Sequence, residues 1–149
     1  MKKYLLDTNI ASLLGSHKQG NSRLLKKFYN LNDDDMVMIS IITLYEAQYG
    51  LYNSENREQQ DEIKENIHYL KRFFEVIPLD TKEMDYFAHL KVSYKNQTGI
   101  NKKSMKKNNL DILLASTAMA MDAILISDDA IFDKLSEIEP HFYCENWLK

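Results

Sequence analysis

Tyr4-Leu5-Leu6-Asp7-Thr8-Asn9 is a short apolar run that stops on an acid, with a short helix expected directly after it over Ile10 to Leu14. A buried strand that ends in a carboxylate and passes into a helix sets that carboxylate at the carboxyl edge of an open sheet. That is the edge at which α/β folds bind their ligands. The same pattern recurs downstream. Met36-Val37-Met38-Ile39-Ser40 is an unbroken apolar run after a turn signal, as expected of a strand covered on both faces. Phe74-Glu75-Val76-Ile77-Pro78 and Ala123-Ile124-Leu125-Ile126-Ser127 read as further strands, and Phe142-Tyr143-Cys144 as a last edge strand.

Helical segments fill the intervals. The polar stretch Gly15-Ser16-His17-Lys18-Gln19-Gly20 reads as a loop, and a helix follows from about Ser22 to Tyr29. Another starts near Ile42 and ends at Asn53-Ser54, and a longer one runs from Arg57 to Phe73 with Ile63, Ile67, Leu70 and Phe74 on one stripe. Asp80-Thr81-Lys82-Glu83 predicts a helix start with reciprocal capping, and that helix turns Phe87, Leu90 and Tyr94 inward and ends before Gly99. A lysine-rich loop then leads to an apolar helix from Asn109 through Met121. Strands alternating with helices, without repeats or proline- and glycine-rich linkers, imply one α/β domain over residues 1–149 with a largely parallel sheet.

Composition narrows the function classes. A chain of 149 residues with a net charge of -3 is an ordinary globular domain, and the mild acidic balance announces no partner. No window reaches the apolar length of a membrane span and no signal segment is evident, so the expected location is the cytoplasm, away from membranes. Cys144 is the lone cysteine, which excludes an internal disulfide and a cysteine-rich zinc site; it reads as a small buried apolar residue. His17, His68, His89 and His141 are scattered and read as structural or surface residues.

The acids are what gather. Parallel strands joined by right-handed crossovers point their carboxyl ends to one edge, so Asp7, Ser40 and Ser127-Asp128-Asp129 converge there from distant parts of the chain. Glu46 follows Ser40 and Thr43 at steps of three on one helical face, and Asp111 lies in the first turn of its helix. Each acid alone has a plain explanation as a helix cap or dipole partner. Together they repel one another unless a cation neutralises them, and oxygen ligands without histidine suit Mg²⁺ or Mn²⁺. Carboxylate-held divalent ions serve the hydrolysis of phosphate esters, and a polyanionic substrate then needs positive charge nearby. Lys102, Lys103, Lys106 and Lys107, just ahead of Asp111, supply it, whereas Asp33-Asp34-Asp35 reads as a solvated turn.

Four segments in order carry a resemblance: Leu5-Leu6-Asp7-Thr8-Asn9, Ser40-Ile41-Ile42-Thr43-Leu44-Tyr45-Glu46, Asn109-Leu110-Asp111-Ile112-Leu113-Leu114-Ala115 and Leu125-Ile126-Ser127-Asp128-Asp129. They resemble the successive motifs of PIN-domain ribonucleases, and Glu145-Asn146-Trp147 resembles the tail of VapC-type toxins of type II toxin-antitoxin pairs. The resemblance implies a three-layer α/β/α fold with a mainly parallel sheet of about five strands. It also implies a Mg²⁺- or Mn²⁺-dependent endoribonuclease that acts on RNA, pairs as a homodimer and is inhibited by a small cognate antitoxin. Metal binding and catalysis fall on Asp7, Glu46, Asp111 and Asp129, with Asp128 the alternative to Asp129. Thr8, Asn9, Ser40, Thr43 and Ser127 hold the carboxylates and waters in place.

Other readings predict other residues. A phosphoacceptor hydrolase wants a second acid two residues after the nucleophile, where Asn9 stands. A PIN-like nuclease of RNA processing outside a toxin-antitoxin pair keeps the same acids, and a non-catalytic binding module keeps the fold alone. Tyr45, Tyr49 and Tyr52 recur at helical spacing and are expected first as half-buried core, then as an antitoxin groove or a stacking surface for RNA bases.

Overall fold

A computed structural model describes residues 1–16 and 21–149; the part of the expected loop over 17–20, with His17, lies outside the described residues. The elements run β1 (Lys3–Leu6), α1 (Thr8–Gly15), α2 (Ser22–Tyr29), β2 (Met36–Ser40), α3 (Ile41–Asn53), α4 (Arg57–Phe73) and β3 (Glu75–Ile77). They continue as α5 (Glu83–Thr98), α6 (Lys102–Lys107), α7 (Asn109–Ala120), β4 (Ile124–Ile126), α8 (Ala130–Ile138) and β5 (Cys144–Glu145).

The five strands pair in the order β3-β2-β1-β4-β5, and every pairing is parallel. Alternation along the strands divides the core in two. Leu5, Met38 and Leu125 face a cluster closed by Leu90 of α5, Ile112 and Ala115 of α7, and Phe132 and Leu135 of α8. Tyr4, Leu6, Ile39 and Ile126 face a second cluster closed by Ile10 and Leu14 of α1, Leu24 of α2, Leu70 of α4, and Trp147. Helices thus cover both faces, which explains why the strands are apolar throughout and gives the expected three layers. Each fully enclosed leucine contributes on the order of 2 kcal/mol by leaving water.

The strand order reverses between β1 and β4: the chain builds outward from β1 through β2 and β3, then crosses to the other side. Such a switch point opens a crevice at the carboxyl ends of the two strands. Asp7 follows β1 and Ser127 follows β4, so both stand at its mouth.

Local chemistry sets the helix ends. Asp7 Oδ1 accepts the Ile10 N–H at 2.8 Å, so the acid that ends β1 also starts α1. Ser40 does the same for α3 through the Ile42 N–H at 3.1 Å. α5 ends where Gly99 takes φ 64°, the left-handed conformation that glycine adopts without penalty. Half of the expected capping box forms: Glu83 accepts the Asp80 N–H at 3.0 Å, while Asp80 is drawn to the adjacent Thr81 N–H.

Several expectations are corrected. The lysine-rich loop is a helix, α6, because Asn101 caps it through the Ser104 N–H at 2.9 Å and Met105 is buried beneath it. β5 begins at Cys144 because Phe142 is spent as a core residue against Phe132, their rings 6.3 Å apart. Cys144 is only partly buried, its thiol 3.5 Å from the Phe132 carbonyl oxygen. Tyr45, Tyr49 and Tyr52 are not core: they are 66%, 70% and 83% exposed, since α3 turns Ile42 and Thr43 inward instead. The α4 stripe does pack inward at Leu70 and Phe74, with Ile63 and Ile67 partly buried.

Candidate active site

Asp7 is 6% exposed and carries a carboxylate into the crevice. Burial pushes its pKa up, the Ser127 hydroxyl and the Ile10 N–H pull it down, and Asp128 and Asp129 raise it again. The Ser127 hydroxyl donates to Asp7 Oδ2 and accepts the Asp129 N–H at 3.0 Å. One buried serine therefore ties the end of β1 to the turn after β4.

Glu46 reaches the same edge from α3. The Thr8 hydroxyl donates to Glu46 Oε1 at 2.7 Å and lies 3.2 Å from the hydroxyl of Thr43, which is fully buried. Thr8, the residue after Asp7, therefore bridges the start of α1 to α3 and holds the Glu46 carboxylate. Asp129 caps α8 through the Ile131 N–H at 3.1 Å, and Asp128 accepts from Asn9 Nδ2 at 3.2 Å. Ser40 acts at one remove, its hydroxyl spent on starting the helix that carries Glu46.

Asp111 completes the group. Its pKa is raised to about 6, first by burial and then by the charges of Asp129, Glu46 and Asp7. Asp111 thus stands in the fields of three carboxylates from three other parts of the chain. No lysine, arginine or histidine within the described residues forms an ion pair with any of them. His68, His89 and His141 are exposed elsewhere.

The donor set has a definite character. It is oxygen only, it repels itself, and no ion pair among the described residues offsets it, which fits a hard divalent cation. Among the described residues no three acids or imidazoles lie close enough to make a finished cage. Acids spaced in this way would meet a hard divalent ion through one or two carboxylates directly and through its waters otherwise.

The profile of the PIN domain family matches residues 4–138. The chain belongs to the PIN domain family. This PIN domain is VapC-like: it is 32% identical to Ribonuclease VapC2 of Rickettsia felis over 150 aligned positions, covering 98% of each chain. Its backbone matches the crystal structure of VapBC2 from Rickettsia felis bound to a promoter DNA fragment, with a TM-score of 0.76 and 28% identity over 97% of this chain and 98% of that one. VapBC-1 of nontypeable Haemophilus influenzae shares the fold at a TM-score of 0.74 and 22% identity, over 99% of both chains.

Sequence reasoning missed two features of this PIN domain. One is the direct Thr8–Glu46 bond, which no spacing rule announces. The other is a cleft whose lysines and arginine come from both ends of the chain and from α2; the pairs Lys2-Lys3 and Lys26-Lys27 hint at it in the sequence, but nothing local brings them together.

Proposed function

We propose that this chain is a Mg²⁺- or Mn²⁺-dependent endoribonuclease and the toxin of a VapBC-type pair. The observation that carries the reading is the gathering of acids around Asp111, where burial and the charges of Asp129, Glu46 and Asp7 push its carboxyl pKa up and no ion pair among the described residues relieves it. Asp7, Glu46, Asp111 and Asp129 would hold the ion, and an ion bound there would activate water and offset charge on a phosphodiester. The chain's own part is to keep the acids in register: Ser127 clamps Asp7, Thr8 clamps Glu46, and Asn9 steadies the turn at Asp128. The RNA substrate is supported by the likeness to Ribonuclease VapC2, and by Lys102, Lys103, Lys106 and Lys107 on α6, the helix immediately ahead of the one bearing Asp111.

The partner is a small antitoxin. The Rickettsia felis relative was solved as a VapBC2 assembly. In this chain a cavity of about 580 Å³ lies between α1 and α4, lined by Ser12, Leu13, Gly15, Ile63 and Asn66 among others, and it suits an apolar segment. A homodimer is supported by Tyr45, Tyr49 and Tyr52 with Leu79 and Leu110, an exposed apolar surface beside Glu46. The test is to free the chain of its partner, incubate it with total cellular RNA and Mg²⁺, and sequence the new ends. New ends made by the wild type and absent with Asp7→Asn support the proposal; equal cleavage by both, or none by either, contradicts it.

A further inference from the structure

Five cations line one cleft of about 580 Å³ that shares nothing with the acids: Lys2, Arg23, Lys26, Lys27 and Lys149. All five are exposed, and within the described residues none forms an ion pair. Two acids stand beside them: Glu145, on the lining itself, accepts from Trp147 Nε1 at 2.8 Å, and Asp35, in the field of Lys2, accepts the Lys2 and Asn32 N–H groups at 2.8 and 3.0 Å, so the cations still outnumber the acids. Concentrating an excess of positive charge on one face of a chain of net charge -3 has an electrostatic cost unless a polyanion shares it.

We propose that this cleft is a second RNA site, which grips the phosphate backbone of a long substrate away from the acids; the inference rests on the ribonuclease reading above. Half of the side chains that line the cleft are cations. Its aromatic floor, Tyr4 and Trp147, is buried ring against ring at 5.1 Å, so neither ring has a free face to stack a base or to anchor a peptide side chain. A row of phosphates requires only the cations. Lys2 precedes β1 and Asp7 follows it, and a four-residue strand spans about 13 Å. An RNA crossing the acids must therefore be longer than about four nucleotides, at about 3.4 Å of stacked rise each, to reach the cleft as well. The site adds affinity for long RNA without reading sequence.

The experiment uses the full chain carrying Asp7→Asn, so that RNA binds without being cut, with a labelled single-stranded RNA well beyond that length and one of about four nucleotides. Arg23→Ala, Lys26→Ala and Lys27→Ala together are expected to weaken binding of the long RNA by about tenfold, to flatten its log–log salt dependence by about 2, and to leave the short RNA unchanged. Lys149→Ala, on a different segment, should flatten the slope by about 0.7. Cleavage of the short RNA by the same variants with Asp7 restored should equal wild type, which also shows that they fold. An unchanged slope for the long RNA, or equal losses for both lengths, overturns the inference. So does displacement of the long RNA from α6 alone while a polyglutamate peptide takes the cleft, which would make it a site for an acidic protein. If the wild-type chain cuts no RNA at all, the ribonuclease reading falls; if it cuts and the slopes do not move, only the second site falls.

Discussion

Asp111 shows how one side chain can bind a fold to its chemistry. Its pKa rises from 3.8 in an unfolded chain to about 6 in the fold, so the fold favours the neutral carboxyl. The stabilisation from this group is complete below the unfolded value and is lost as pH rises through about 6, the reverse of a salt-bridged aspartate. In chelator, the melting temperature of the wild type relative to Asp111→Asn should therefore fall between pH 4 and pH 7, and Mg²⁺ should restore it at neutral pH. A pH-independent difference between the two proteins would show that the carboxylate cluster is not strained. The neighbouring pair Asp128 and Asp129 is separable too. Only Asp129 acts on Asp111, whereas Asp128 is turned to Asn9. Asp129→Asn should lower RNA cleavage by more than the roughly 10–100-fold seen when groups that only support metal ligands are altered, and Asp128→Asn by much less; the opposite ranking in a rate measurement would move the fourth ligand to Asp128.

Helices and strands were readable in the sequence to the degree that their signals were local. The acids at strand ends, the apolar runs of β1, β2 and β4, and the stop at Gly99 each depend on neighbouring residues, and the structure places them as expected. What escaped depends on partners far away in sequence. α6 looked like a loop because four lysines in six residues mask the single buried Met105 that docks it, and β5 slipped because Phe142 has two uses and the core claims it. The tyrosines of α3 had core spacing but lie outside, since periodicity gives a stripe and not the direction it faces. With α6 a helix, its lysines form one exposed group ahead of α7. Changing Lys102, Lys103, Lys106 and Lys107 to Ala should flatten the salt dependence of RNA binding by about 3, for RNA of any length, and an unchanged slope would reduce α6 to a solvated helix.

Across the whole molecule, the all-parallel order β3-β2-β1-β4-β5 brings Asp7 and Ser127 to one crevice, with Glu46 and Asp111 entering from helices on either side. No helix among the described residues is long and apolar enough to cross a membrane. The exposed tyrosine face beside Glu46 makes a further prediction: sedimentation should find a dimer of the isolated chain, and Tyr45→Glu with Tyr49→Glu should give a folded monomer. A wild-type monomer at all concentrations would free that face for another role. The claim on which everything turns is that four carboxylates share a divalent cation in order to cut RNA. Its measure is the initial rate of RNA cleavage across a Mg²⁺ titration that begins in excess chelator, for the wild type and for Asp111→Asn. The expected result is a rate that starts at zero, saturates with Mg²⁺ for the wild type and stays at zero for the variant; cleavage undiminished by chelator, or equal in the two proteins, would contradict it.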